Sequence, residues 1–267
     1  MTVAIGVVGC AGRMGRMVIK EVLKTEGCFL AGGTEAPGGF VGKDLGSLVG
    51  IDPVGVSVGD DPIELFRVSD AVIDFTVPEA TRIHAQAAAV SDKAYVVGTT
   101  GLDPNAQAAI EAAAKTASVV QAPNFSIAVN LLFALTKKVA ATLGPDYDIE
   151  ILEMHHRSKV DAPSGTALGL GKAAAEGRNV VLDSVACMSR EGQPGVRPLG
   201  EIGFAVLRGG GVVGEHNAIF ANEAERLELS HKADTRGIFA AGALRAALWL
   251  QGKPAGLYGM ADVLGIG

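Results

Sequence analysis

The sequence predicts an α/β protein with an N-terminal Rossmann-like doubly wound parallel sheet and a second α+β domain built on a mixed or antiparallel sheet. Three observations carry this reading. Short apolar runs alternate with helical segments up to about residue 125. A glycine-rich turn joins the first apolar run to the first helix. Beyond residue 125 the pattern changes to longer strands with alternating hydrophobicity.

Residues 3–8 form a continuous apolar run ending in glycine, as expected of a strand buried on both faces. Residues 13–24 follow with helical periodicity. Residues 28–32 read as a second strand, and 71–76 and 94–99 as two more. Helices then open near Pro78 and Pro104, where the missing proline N–H has no intrahelical partner to lose. The alanine-rich stretch 105–117 favours a helix, and 119–122 closes the series as a strand. Residues 126–143 read as a long helix with Ser126 at its N-cap. A strand at 147–154 and a helix at 163–176 follow, and 185–232 is mostly strand. Alternation over 201–208, and a turn-like 222–225 between 218–220 and 227–229, predict antiparallel pairing there. A last helix spans 237–250. The domain boundaries expected are 1–125 for a dinucleotide-binding domain, completed by the segment 237–267, and 126–236 for a second domain.

Composition narrows the function. With 48% apolar and 19% charged residues the chain is an ordinary globular protein. A net charge of −6 gives no footprint for nucleic acid or an anionic membrane, and neither is expected as a partner. Cys10, Cys28 and Cys187 cannot all pair within one chain and show no CxxC spacing. They read as reduced thiols in a cytoplasmic protein, with no disulfide framework and no zinc site. The apolar start at 2–9 lacks a basic leader and runs into Arg13 and Arg16, so it reads as a buried strand rather than a signal peptide. No run approaches the roughly 20 apolar residues of a membrane span.

Four segments carry chemistry. Gly9-Cys10-Ala11-Gly12-Arg13-Met14-Gly15 lies between the first strand and the first helix, where glycines let the backbone approach a pyrophosphate and the helix N-terminus meets its charge. A ligand-free glycine turn is the alternative. Glu35 ends the second strand, where a carboxylate can accept hydrogen bonds from adenosine ribose hydroxyls and would repel a 2′-phosphate; an exposed loop glutamate is the plainer reading. Gly98-Thr99-Thr100-Gly101 and Ala122-Pro123-Asn124-Phe125 fall at carboxyl ends of strands, the side on which open α/β sheets bind ligands, although ordinary loops share their composition.

The fourth segment is Glu153-Met154-His155-His156-Arg157-Ser158-Lys159-Val160-Asp161-Ala162-Pro163-Ser164-Gly165-Thr166-Ala167. Clustered cations beside a helix N-terminus suit a carboxylate-bearing substrate. A histidine titrating near neutral pH can supply the proton that accompanies hydride transfer. A solvated basic turn is the bland alternative. Metal binding is disfavoured, because adjacent strand histidines point to opposite faces and no coordination set completes them. His84 reads as surface or core-satisfied, while His216 and His231 either line a cavity or serve structure.

The string from Glu153 to Ala167 resembles the signature of the dihydrodipicolinate reductase family. Further similar segments follow in family order: Gly12-Arg13-Met14-Gly15, Asp74-Phe75-Thr76, Gly98-Thr99-Thr100-Gly101, Asn124-Phe125-Ser126, Ser189-Arg190-Glu191-Gly192, Ile202-Gly203-Phe204, Val213-Gly214-Glu215-His216 and Ser230-His231-Lys232-Ala233. The resemblance spans essentially the whole chain. It implies NADH- or NADPH-dependent reduction of 4-hydroxy-tetrahydrodipicolinate, a small cyclic dicarboxylate on the lysine and diaminopimelate route. By resemblance His155 is the proton donor and Lys159 the second catalytic residue, with His156, Gly165 and Thr166 holding the substrate carboxylates. Gly9, Cys10, Ala11, Gly12, Arg13, Met14, Glu35, Gly98, Thr99, Thr100, Ala122, Pro123, Asn124 and Phe125 would bind the dinucleotide. The second domain would bind substrate and form a homotetramer. Family members that use NADPH readily tend to carry arginine right after the acidic residue, whereas Glu35 is followed by Ala36-Pro37-Gly38-Gly39 and no cation until Lys43, so NADH is the favoured cofactor. Two other readings stay open: a related two-domain dehydrogenase for another small acid, which has no reason to keep the histidine string, and a non-catalytic dinucleotide sensor, which has no reason to keep His155 and Lys159.

Overall fold

In the computed structural model, which describes residues 2–266, the chain divides into two units. One takes in the described residues up to Ser126 together with Gly237–Gly265, the other Ile127–Arg236. The first unit begins β1 (Val3–Val8), α1 (Arg13–Lys24), β2 (Cys28–Thr34), α2 (Leu45–Leu48), β3 (Val58–Gly59) and α3 (Pro62–Val68). It continues β4 (Ala71–Asp74), α4 (Pro78–Ser91), β5 (Ala94–Val97), α5 (Pro104–Ala113) and β6 (Ser118–Gln121). The second unit holds α6 (Ile127–Thr142), β7 (Asp148–His155), α7 (Gly165–Gly177), α8 (Leu182–Val185), β8 (Ala186–Cys187), β9 (Ile202–Arg208), β10 (Gly214–Ala221) and β11 (Arg226–Ala233). The chain then returns to the first unit as α9 (Gly237–Trp249), β12 (Gly256–Tyr258) and α10 (Met260–Leu264).

The first sheet is parallel throughout, in the order β12-β6-β5-β4-β1-β2-β3. Both faces are covered, which is why its strands read as continuous apolar runs. Ile5, Val7, Ile73, Val96 and Val120 pack on one face with Val18 and Ile19 of α1 and Ala243 and Leu244 of α9. Val8, Val72, Tyr95, Val97 and Val119 pack on the other with Phe66, Ala88 and Ile110. Strand order reverses between β1 and β4, the switch point at which doubly wound sheets bind nucleotides. Pairing aligns the strand ends there: Val8 lies beside Thr34 and Asp74, Asp74 beside Val97, and Val97 beside Gln121. The loops after all five strands therefore leave from one edge.

The second sheet is mixed, in the order β11-β10-β7-β9-β8. β10 is antiparallel to both β7 and β11, as the turn at 222–225 predicts. β9 departs from expectation, running parallel to β7 rather than antiparallel. Alternation reports that one face is buried and carries no information on the direction of the neighbouring strand. The segment 188–201, read as part of a strand region, has no regular structure. It is clipped instead by ion pairs of Arg197 with Asp148 and Glu150 and of Arg190 with Glu150. Burial alternates along β7 and β10. Ile149, Ile151, Ala218 and Phe220 face Leu132 of α6 and Leu170 and Ala174 of α7. Glu153, His155 and His216 continue that inward row as buried polar residues.

Candidate active site

At the β1–α1 turn Gly9 takes φ +63°, and a Cβ on Gly15 would lie 2.2 Å from the Gly9 carbonyl oxygen. Glycine is therefore required for the close strand–helix turn at both positions. Gly12 occupies the N-cap of α1 with no side-chain capping bond and no acidic residue in the first turn. A bare helix N-terminus behind a glycine turn is a cradle for a phosphate-bearing ligand, so these residues fit a dinucleotide. The Cys10 side chain is fully buried, and burial, with Glu35 adding, pushes the thiol up to about 12. Glu35 accepts the Ala11 N–H at 2.9 Å and the Ala36 N–H at 3.2 Å, which ties the end of β2 to the glycine turn. Beyond it the Lys43 ammonium lies 5.0 Å from the centre of the Phe40 ring and the Arg16 guanidinium 5.8 Å from the same ring. Arg16 also donates to the Ala11 and Leu48 carbonyls at 2.8 and 2.9 Å.

A buried polar network fixes the neighbouring loops. The fully buried Asp74 accepts from the Thr76 N–H at 2.9 Å, the Thr76 hydroxyl at 2.6 Å and Tyr95 Oη at 2.5 Å, and pairs with His84 Nδ1 at 2.9 Å. Thr99 Oγ1 joins it at 3.2 Å and receives the Thr81 hydroxyl at 2.7 Å. Burial alone would raise the Asp74 carboxyl, but the bonds from His84, Thr76 and Tyr95 outweigh it and hold the group below the usual carboxylate range. At Gly98 a Cβ would meet the Phe75 ring at 2.1 Å, and Phe75 packs edge-on against Phe125 at 5.6 Å. The Thr99 and Phe125 loops are thereby set at the sheet edge that also carries Gly9 and Glu35. Thr100 and Pro123 are exposed, Ala122 is buried, and Asn124 Oδ1 accepts the Ser126 N–H at 2.8 Å.

The second cluster lies at the carboxyl end of β7. His155 closes that strand, 8% exposed, with Nδ1 2.6 Å from Glu153 Oε2. Arg208, the register partner of His155 on β9, grips Glu153 with two bonds of 2.7 and 2.9 Å. The Ser164 N–H donates to Glu153 Oε1 at 3.0 Å. Ser164 caps α7 through the Ala167 N–H and contacts His216 Nε2 at 3.1 Å. Gly165 and Thr166 form the first turn of α7, which holds no acidic residue. Lys159 pairs with Asp161 at 2.8 Å, and the half-buried His156 has Nε2 3.4 Å from Arg236. Burial moves His155 below the ordinary histidine range; Glu153 opposes that shift, while Lys159 and Arg208 reinforce it. Burial and the neighbouring His155 push His216 down to about 4, and the two rings meet edge to face at 5.1 Å.

His155, His156, Lys159, Gly165 and Thr166 thus belong to one loop and helix start in the second unit, and the expected nucleotide residues to one sheet edge in the first. Sequence reasoning assigned no role to Glu153, Arg208 or Arg236. Glu153 carried a signal, since spacing by two on a strand places it on the His155 face. Arg208 and Arg236 carried none, being 55 and 80 residues from their partners. Among the described residues no group of three or more His, Cys, Asp or Glu is placed to hold a metal ion, and no helix is long and apolar enough to cross a membrane.

Residues 3–125 match the family model of the dihydrodipicolinate reductase N-terminus, and residues 128–264 that of its C-terminus. A 4-hydroxy-tetrahydrodipicolinate reductase of Methylocella silvestris is 53% identical over 98% of this chain and 96% of that protein. One of Dinoroseobacter shibae is 53% identical over 97% of each. Among solved structures, dipicolinate-bound dihydrodipicolinate reductase from Paenisporosarcina sp. TG-14 is similar with a TM-score of 0.77 and 25% identity, covering 99% of this chain and 100% of that one. Matched along both of its halves, the chain belongs to the dihydrodipicolinate reductase family.

Proposed function

We propose that this chain reduces 4-hydroxy-tetrahydrodipicolinate to tetrahydrodipicolinate, with loss of water, on the route to diaminopimelate and lysine. The observation that carries the reading is the grouping of a buried histidine, Lys159, His156, Arg236 and the Ser164-capped first turn of α7, which holds no acidic residue, around one loop. That is a set of cations and a helix dipole for a cyclic dicarboxylate, next to a proton source. His155 delivers the proton. Lys159 opposes the negative charge that develops on the substrate, and His156, Gly165 and Thr166, with Arg236, hold its carboxylates.

The first unit is the dinucleotide domain. Gly9 to Met14 would hold the pyrophosphate against the α1 N-terminus, Glu35 the adenosine ribose, and Gly98, Thr99, Thr100 and Ala122 to Phe125 the nicotinamide half. A bound NADH or NADPH supplies the hydride. NADH is the favoured cofactor. Glu35 would repel a 2′-phosphate, no cation follows it directly, and Lys43 and Arg16 lie over Phe40. The protein works in the cytoplasm as a homotetramer assembled through the second sheet, whose outward face carries Leu152, Met154 and Ile219 only half-buried.

A coupled assay tests this reading. Pyruvate and aspartate semialdehyde are condensed by the upstream synthase, and oxidation of NADH and NADPH is followed separately. Substrate-dependent oxidation with the higher kcat/KM for NADH is the expected result. Folded protein that binds dinucleotide yet oxidises neither would remove the assignment, and equal or better efficiency with NADPH would remove the preference.

A further inference from the structure

The floor of the second cluster is a single carboxylate. Glu153 is 1% exposed and receives Arg208 twice, the Ser164 N–H and His155 Nδ1, all between 2.6 and 3.0 Å. Burial alone would raise its carboxyl, but the bonds from Arg208, His155 and Ser164 more than offset this and keep it below the usual carboxylate range. An ionised carboxylate only accepts, so the proton in the 2.6 Å contact belongs to His155 Nδ1. That leaves Nε2 as the ring nitrogen available for exchange. The backbone keeps one side of it open: a Cβ at Gly214 would lie 3.0 Å from Nε2.

We propose that Glu153 is a positioning residue for the reduction, holding the Nδ1–H of His155 so that Nε2 delivers the proton, with Arg208 fixing the carboxylate. The inference rests on His155 being the proton donor. In the step the Nε2–H bond breaks, the proton passes to the substrate and the electron pair stays on Nε2. The ring is left neutral with its Nδ1–H still on Glu153, and it regains a proton from water for the next turnover. The charged and titratable groups facing His155 are Glu153 on its own strand, Lys159 with Asp161 on the following loop, Arg208 from β9 and His216 from β10. His216, held neutral down to about 4, adds no competing charge at working pH. Among the described residues, Glu153 is thus the one anion in direct contact with the ring.

Two measurements decide the matter. In the wild-type protein with ¹⁵N-labelled histidine, neutral His155 should carry its proton on Nδ1; a proton on Nε2 would overturn the proposal without any variant. In Glu153→Gln, Arg208 and the Ser164 N–H claim the amide oxygen, so the amide N–H turns toward His155 Nδ1. The tautomer should reverse. The descending alkaline limb of kcat/KM should move to lower pH by about one unit or more. Turnover should fall about 10²-fold while NADH affinity stays unchanged. A Glu153→Gln enzyme with an unmoved limb and kcat within about threefold of wild type refutes the role. If that variant does not fold, the wild-type tautomer decides alone. His155→Gln separates the two readings: near-normal turnover there would remove His155 as donor, whereas its loss beside a normal Glu153→Gln enzyme would remove only the positioning role.

Discussion

His216 should contribute a measurable share of the protein's sensitivity to acid. It is 6% exposed, its Nε2 meets the Ser164 hydroxyl at 3.1 Å, and burial first, then neighbouring His155, pushes it down to about 4. In the unfolded chain the same imidazole takes a proton near the ordinary histidine value of about 6.5. Between these values the unfolded state binds more protons than the folded one. Stability therefore falls as pH drops from about 6.5 to about 4 and recovers as it rises. At about 1.4 kcal/mol per pH unit the gap amounts to about 3 kcal/mol. The perturbation is His216→Gln, which keeps a polar side chain near Ser164 but cannot titrate. Urea unfolding at a series of pH values should show wild type losing about 3 kcal/mol more than the variant across that window, with other acid-sensitive groups common to both. Parallel stability curves for the two proteins would refute the reasoning and mean that His216 protonates freely in the folded state.

Three other perturbations have definite outcomes. Gly15→Ala places a methyl 2.2 Å from the Gly9 carbonyl oxygen, so α1 must shift against β1; a loss of about 1–3 kcal/mol and at least tenfold weaker NADH binding by calorimetry are expected. Asp74→Asn puts an amide where Tyr95, Thr76 and His84 converge, and should cost about 3–5 kcal/mol in thermal or denaturant unfolding. Arg197→Ala removes the clip between 188–201 and the Asp148 and Glu150 carboxylates, and limited proteolysis should then cut in that segment first.

Much of the fold was legible because burial writes itself locally. Val3–Val8 and Ala94–Val97 are covered on both faces and so read as unbroken apolar runs, while β7 and β10 are covered on one face and so alternate. The glycine turn was legible because only glycine tolerates the Gly9 backbone and the Gly15 contact. β3 and β12 left no mark, since two and three residues are too few to establish a period. The direction of β9 was misread because alternation is the same in parallel and antiparallel neighbours.

The candidate site divides along the same line. His155, His156, Lys159, Gly165 and Thr166 lie within one contiguous string, and proximity along the chain was enough to bring them together. Glu153 stood in that string with no role, because its value comes from Arg208, 55 residues away, and from the helix cap at Ser164. His84 looked interchangeable between surface and core until Asp74, ten residues earlier, was found paired with it inside the sheet edge. Sequence alone determined where the longer strands and helices and the glycine turn form and which loop gathers His155, His156 and Lys159, because periodicity, glycine sterics and chain proximity are local properties. Tertiary structure alone decided strand direction, the partners of the buried carboxylates and which nitrogen of His155 meets Glu153, because those depend on side chains that only the folded sheet registers bring within hydrogen-bond distance.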